Sequence, residues 1–66
     1  MKFFKGQLLK LSSDFSQGKQ YICYIVLNFN KRYYHYEVYN LETGTIQIEY
    51  SSWLENWFEL ALKKDN

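Results

Sequence analysis

This sequence has no proline, one cysteine, one histidine and three glycines. Each shortage closes off a class of function. A single thiol, Cys23, cannot build an internal disulfide framework and fits a reducing compartment, by default the cytoplasm. One cysteine and one histidine do not make a metal-ligating cluster. Gly6, Gly18 and Gly44 stand alone, so no glycine-rich loop cradles a phosphate. His35 has Ser51 and Ser52 as conceivable nucleophiles but no third residue to orient it. No apolar run approaches the roughly 20 residues of a membrane helix. The opening MKFF gives way at once to Lys5, Gly6 and Gln7, so no secretory apolar region is expected. With no repeat and no linker composition, residues 1–66 read as one domain: not an enzyme, without cofactor or metal, and off the membrane.

What is abundant is aromatic. Phe, Tyr and Trp make up 21% of the chain, which suits a domain too short to bury more than about 60% of its extended surface. Net charge is only +1 but unevenly placed. Residues 1–36 hold Lys2, Lys5, Lys10, Lys19, Lys31 and Arg32 against Asp14. Residues 37–66 hold Glu37, Glu42, Glu49, Glu55, Glu59 and Asp65 against Lys63 and Lys64. A domain so near neutral overall carries a faint footprint for nucleic acid.

Residues 33–50, YYHYEVYNLETGTIQIEY, organise the chain as a β-hairpin. Alternation puts Tyr34, Tyr36 and Val38 inward with Ile46, Ile48 and Tyr50. Tyr33, His35, Glu37 and Tyr39 then lie outward, opposed by Thr45, Gln47 and Glu49. The preferred register pairs Val38 with Ile46 and His35 with Glu49. Pairing Val38 with Ile48 would instead set Glu37 against Glu49. Asn40 is expected to cap the turn and Gly44 to close it in the left-handed conformation.

Earlier in the chain, residues 2–11 contain a first strand with Leu9 and Leu11 inward, Phe3 and Phe4 divided between the faces, and a bend at Gly6. Residues 12–18 read as a loop with Phe15 folded over the core. Residues 20–29 form a central strand, Tyr21, Cys23, Ile25, Leu27 and Phe29 on one face and Ile22, Tyr24 and Val26 on the other. Cys23 is expected to be an inert core residue. The C-terminal stretch has two readings. One is a helical turn at residues 52–56 followed by a strand at 58–62, with Trp57 mostly in the core and Trp53 more exposed. The other is a helix over 53–63, capped by Ser52 with Glu55 completing a capping box, packed against a curved four-stranded sheet.

Three pieces carry a resemblance: KGQLLKL at residues 5–11, YNLETGTI at 39–46 and SSWLENWFEL at 51–60. Their order and spacing, covering most of the chain from Phe4 to Leu62, resemble the small SH3-like barrels of bacteria and their phages. That likeness favours the first C-terminal reading, giving a five-stranded barrel with a short helical turn. The peptide-binding motifs of eukaryotic SH3 domains have no counterpart, so no peptide site is carried over. Barrels of this kind are similar to modules that bind RNA, DNA, protein or methylated lysine, and phages use comparably small β proteins against host enzymes.

The chain is accordingly expected to be a binding module for a protein partner. Its contact surface would be an aromatic sheet face built from Lys31, Arg32, Tyr33, His35 and Tyr39, because tyrosine gives large contact area at modest entropic cost. An alternative is nucleic acid, with Tyr33 and Tyr39 as stacking platforms and Lys10, Lys31 and Arg32 on the backbone. A structural or self-assembling role, with a second copy of the chain as partner, is the remaining reading.

Overall fold

In the computed structural model, residues 2–12 and 23–61 are described. Five strands and one helix follow in order: β1 (Leu8–Leu11), β2 (Cys23–Asn30), β3 (His35–Asn40), β4 (Thr45–Tyr50), α1 (Ser51–Trp57) and β5 (Phe58–Leu60). They make one antiparallel sheet in the order β4-β3-β2-β1-β5. β4 and β5 are its two edges, joined by α1 and not paired with each other among the described residues, so the sheet is open where a closed five-stranded barrel was expected. Residues 58–60 therefore leave the helix and pair with β1, in agreement with the short-turn reading and not with a helix to residue 63. Tyr21, Ile22, Phe15 and the loop from residue 13 onward lie outside the described residues, as does Leu62.

Both hairpin turns use one device. In the first, the Asn30 side-chain oxygen accepts the N–H groups of Arg32 and Tyr33 at 2.9 and 3.2 Å, and Tyr34 closes the turn at φ 53°. In the second, Asn40 Oδ1 accepts the N–H groups of Glu42 and Thr43 at 2.9 and 3.2 Å, and Gly44 closes it at φ 71°. An asparagine thus substitutes for backbone acceptors at the mouth of each turn, and a left-handed residue four positions on restores the strand.

That turn decides the faces of β4. It pairs Asn40 with Thr45, so Val38 meets Gln47, Tyr36 meets Glu49 and Tyr39 meets Ile46. The expected pairing of Val38 with Ile46 is off by one residue, and one residue turns every side chain over. Ile46, Ile48 and Tyr50 consequently face outward, beside His35, Glu37 and Tyr39, while Gln47 and Glu49 face inward. His35 opposes Tyr50 rather than Glu49. β2 holds a second departure from simple alternation. Its register against β3 shifts between Val26 and Asn28, leaving Leu27 as the extra residue of a bulge. Before the bulge Tyr24 and Val26 point inward. After it Phe29 does, lying 4.7 Å from the Tyr36 ring. Phe29 and Cys23 therefore do not share a face, and Cys23 is half-buried on the outer side, not in the core.

The core is Phe3, Leu9, Tyr24, Val26, Tyr36, Val38, Leu54 and Phe58, with Leu11, Phe29 and Leu60 packed against it. Tyr24 and Phe58 stack at 4.8 Å. Helix α1 contributes Leu54 alone. Trp57 is 37% exposed and Trp53 42%, so Trp57 does not fill the core as expected. The expected capping box is absent too. Tyr50 stands at the N-cap with no side-chain cap bond, and Glu55 serves another purpose described below. Tyr34, expected inside, is 68% exposed at the turn. No helix among the described residues is long and apolar enough to cross a membrane.

Candidate functional site

The outer face of the β3–β4 hairpin is built by an inverted strand. β4 has the sequence TIQIEY, equally able to bury either set of alternate residues. Its polar set is held inward by a chain of hydrogen bonds. Asn40 Nδ2 donates to Gln47 Oε1 at 2.6 Å, Gln47 Nε2 to Glu49 Oε2 at 3.1 Å, and the Tyr24 hydroxyl to the same carboxylate oxygen at 3.4 Å. Burial raises the Glu49 carboxyl above the ordinary carboxylate range, partly offset by these donors, and burial followed by the Glu49 charge raises the Tyr24 phenol. No buried side-chain nitrogen or oxygen among the described residues lacks a partner. The apolar set is left in solvent: Ile46 is 62% exposed, Ile48 54% and Tyr50 72%.

Across the sheet this set continues inward. Ile46 pairs with Tyr39, Tyr39 with Ile25 and Ile25 with Leu8, so an apolar row crosses four strands on the outer side. At the other end of the hairpin a stack stands on the same side. The Tyr33 ring lies 5.9 Å from His35 at 11° between planes, and the Arg32 guanidinium carbon is 5.5 Å from the Tyr33 centroid.

Of the expected contact residues, the structure brings Arg32, Tyr33 and His35 together. Tyr33 belongs to the turn, since β3 begins at His35. Tyr39 is on the same face but four residues along β3, about 13 Å away, half-buried against Ile46 and Ile25. Lys31 sits in the turn but looks to the other side. There it lines an open groove of about 420 Å³ with Phe29, Tyr34, Ser51 and Glu55, and a neighbouring one of about 360 Å³ with Phe4, Lys5, Asn28 and Phe29. Lys10 is remote. It pairs with Cys23 at the start of β2, while Lys31 follows that strand's end, about 23–26 Å on. It also bridges to Glu59 at 3.5 Å. His35 faces Tyr33 and Tyr50 rather than Ser51 or Ser52. Among the described residues no three His, Cys, Asp or Glu side chains are grouped to hold a metal.

Sequence reasoning missed Ile46, Ile48 and Tyr50 as surface residues. The available signal was the spacing shared by NKRYY and NLETG, asparagine followed four residues later by the turn-closing residue, which fixes the pairing of Asn40 with Thr45. The chain matches no protein-family model, no curated protein and no solved structure.

Proposed function

We propose that this chain is a non-enzymatic binding module of the SH3-like barrel type, acting in the cytoplasm, which takes a protein partner on the outer face of its β3–β4 hairpin. The observation that carries this reading is the inverted β4. A strand whose polar residues are tied inward while Ile46, Ile48 and Tyr50 face solvent presents apolar area that folding alone does not use. The Arg32–Tyr33–His35 stack gives that area an aromatic and guanidinium rim, the composition enriched at protein contacts. Support for the barrel type comes from the strand order, the bulge in β2 and the helix set between β4 and β5. The nucleic-acid reading has less behind it. Lys10 is engaged with Glu59 and far from Lys31 and Arg32, and isoleucine has no role on a phosphate backbone.

Affinity capture with the parent and with a Tyr33→Ala/His35→Ala variant tests the reading. A protein retained by the parent should be held at least tenfold more weakly by the variant, about 1.4 kcal/mol, with the fold unchanged by circular dichroism. Equal retention by the folded variant would move the site elsewhere. Binding of single-stranded nucleic acid with a steep salt dependence would favour the alternative.

A further inference from the structure

Strand β4 is an edge, and among the described residues it pairs only with β3. The Ser51 N–H donates to the Tyr34 carbonyl at 2.9 Å, which marks Tyr34 and Ser51 as a hydrogen-bonded pair. Antiparallel ladders alternate, so Tyr36 with Glu49, Val38 with Gln47 and Asn40 with Thr45 belong to the same class. Thr45, Gln47 and Glu49 therefore direct their backbone groups at β3. Ile46, Ile48 and Tyr50 direct theirs at the open edge. Among the described residues, these exposed apolar side chains thus belong to residues whose N–H groups, with the carbonyls of Ile46 and Ile48, are not used by β3; the Tyr50 carbonyl is taken by α1.

Edges are normally guarded by lysine, proline, a bulge or brevity. The opposite edge, β5, has only three residues, with Glu59 bridged to Lys10. β4 has six residues, no lysine or proline, and an unbroken register with β3; its one guard is the inward carboxylate of Glu49, which is already bonded by Tyr24 and Gln47.

We propose that two copies of this chain pair antiparallel along their β4 edges, about a twofold axis at Ile48, to make one continuous sheet. The second copy is the occupant because the strand complements itself. A twofold axis normal to the sheet keeps outer faces together, so opposed residues must both be even-numbered or both odd-numbered. With the axis at Ile48, that residue meets its own counterpart, and Ile46 and Tyr50 each meet the other. Ile48 exchanges two bonds with its counterpart, and each Ile46–Tyr50 pair adds one, from the Tyr50 N–H to the Ile46 carbonyl, because the Tyr50 carbonyl serves α1 as its N-cap. On the inner face Gln47 meets Glu49 of the second copy, an amide donor against a carboxylate, and no like charges are opposed. Moving the axis to Gln47 pairs only Ile46 with Ile48 and sets Tyr50 against Gly44, which leaves the Tyr50 ring uncovered. Pairing would also bring two copies of the hairpin face side by side as a double contact surface. That consequence rests on the proposed function; the pairing itself does not.

Sedimentation velocity from low micromolar to near-millimolar protein, combined with amide hydrogen exchange by NMR, tests it. A dimer should fill with concentration, and the amides of Ile48 and Tyr50 should gain protection in step. Those of Gln47 and Glu49 should be protected throughout. Ile48→Lys and Ile48→Glu should each weaken the dimer at least tenfold while remaining folded, and mixing the two should restore association, since position 48 faces itself. A monomer at every concentration overturns the proposal, including one that accepts a foreign strand at this edge. So does a dimer in which the Ile48 and Tyr50 amides stay unprotected, or a mixture of folded variants no tighter than either alone. Tyr33 and His35 lie off the edge, so a monomeric result would leave the proposed partner surface standing.

Discussion

The Tyr36 hydroxyl donates to the Glu55 carboxylate at 2.5 Å, joining the middle of the sheet to helix α1. The same hydroxyl accepts the backbone N–H groups of Lys2 and Phe3 at 3.0 and 3.2 Å. Lys2 also donates from its backbone to Glu55 Oε2 at 3.1 Å and from Nζ to the Glu55 carbonyl at 3.2 Å. Three segments remote in sequence meet here, and the junction seats the buried Phe3 ring beside Tyr36 at 6.0 Å. With Tyr50 at the N-cap, Glu55 lies beyond the first turn of α1, out of place for a capping box, and its side chain forms this tether instead.

Tyr36→Phe should cost about 1–3 kcal/mol, because it leaves the buried Phe3 N–H without a partner and removes one of two from the Lys2 N–H and the Glu55 carboxylate. A cycle with Glu55→Gln should show coupling of about 0.5–3 kcal/mol by urea denaturation, and additive losses would mean that the contact contributes nothing specific. Burial, then the bond to Glu55, raises the Tyr36 phenol above its ordinary 10.0. A raised folded value means that this stabilisation is complete below pH 10.0 and is lost as pH climbs through the folded value. The parent should therefore weaken more steeply than Tyr36→Phe above pH 10.0.

The paired turns predict a specific order of stabilities at position 34. Tyr34 occupies the left-handed slot that Gly44 fills in the second turn, without glycine's freedom. Tyr34→Asn and Tyr34→Val both lose the edge contact with Phe29, so their difference isolates the backbone. Asparagine tolerates the left-handed region and a β-branched residue does not, so the asparagine variant should be the more stable by about 1 kcal/mol. Gly44→Ala should lose about 1–2 kcal/mol. An added Cβ there would meet the Tyr39 hydroxyl only at an ordinary 3.6 Å, so strain and not collision is the cause.

Strand existence was legible in the sequence wherever alternation was strong. Leu9 and Leu11 were legible as inward residues for the same reason. The break between α1 and β5 was not decided there, because Phe58 and Leu60 carry the period of a strand while the same stretch also carries the stripe of a helix over 53–63. The faces were not legible. Alternation in TIQIEY is symmetric under a one-residue slip, and the Ile set looked like the obvious core. What decides the matter is the turn, whose pairing of Asn40 with Thr45 fixes the register, and Asn40 and Tyr24 then bond the inward Gln47 and Glu49. The bulge at Leu27 was invisible in an apolar run with no glycine to mark it. Arg32, Tyr33 and His35 were legible as neighbours because they are close in sequence, whereas Ile46, Ile48 and Tyr50 joined them only through the turn.

Helix α1 makes a simpler prediction. Leu54 is fully buried, while Trp53 and Trp57 remain more than a third exposed. Leu54→Ala should therefore cost about 2–5 kcal/mol. Trp57→Ala should cost less than half as much despite the larger side chain, since much of that ring is already wet. Thermal unfolding of the two variants compares them directly. A Trp57→Ala loss equal to or above that of Leu54→Ala would reverse the assignment.

The inverted strand makes its own pH prediction through Glu49. Its carboxyl is raised above the ordinary 4.5, chiefly by burial, so the folded state holds this proton more tightly than the unfolded chain. By linkage, the associated stabilisation is present in full below pH 4.5 and is lost as pH rises through the folded value. At neutral pH the ionised group is a cost, softened by the Tyr24 and Gln47 donors. Glu49→Gln removes the charge and keeps an oxygen that can accept both bonds. The variant should be more stable than the parent at pH 7, and the gap should close as pH falls below 4.5. Denaturation midpoints from pH 3 to 8 give the comparison. A variant weaker than the parent at pH 7 would mean that the carboxylate's bonds outweigh its desolvation. The polar ladder would then hold β4 inverted by charge, and not merely by satisfying its buried amides.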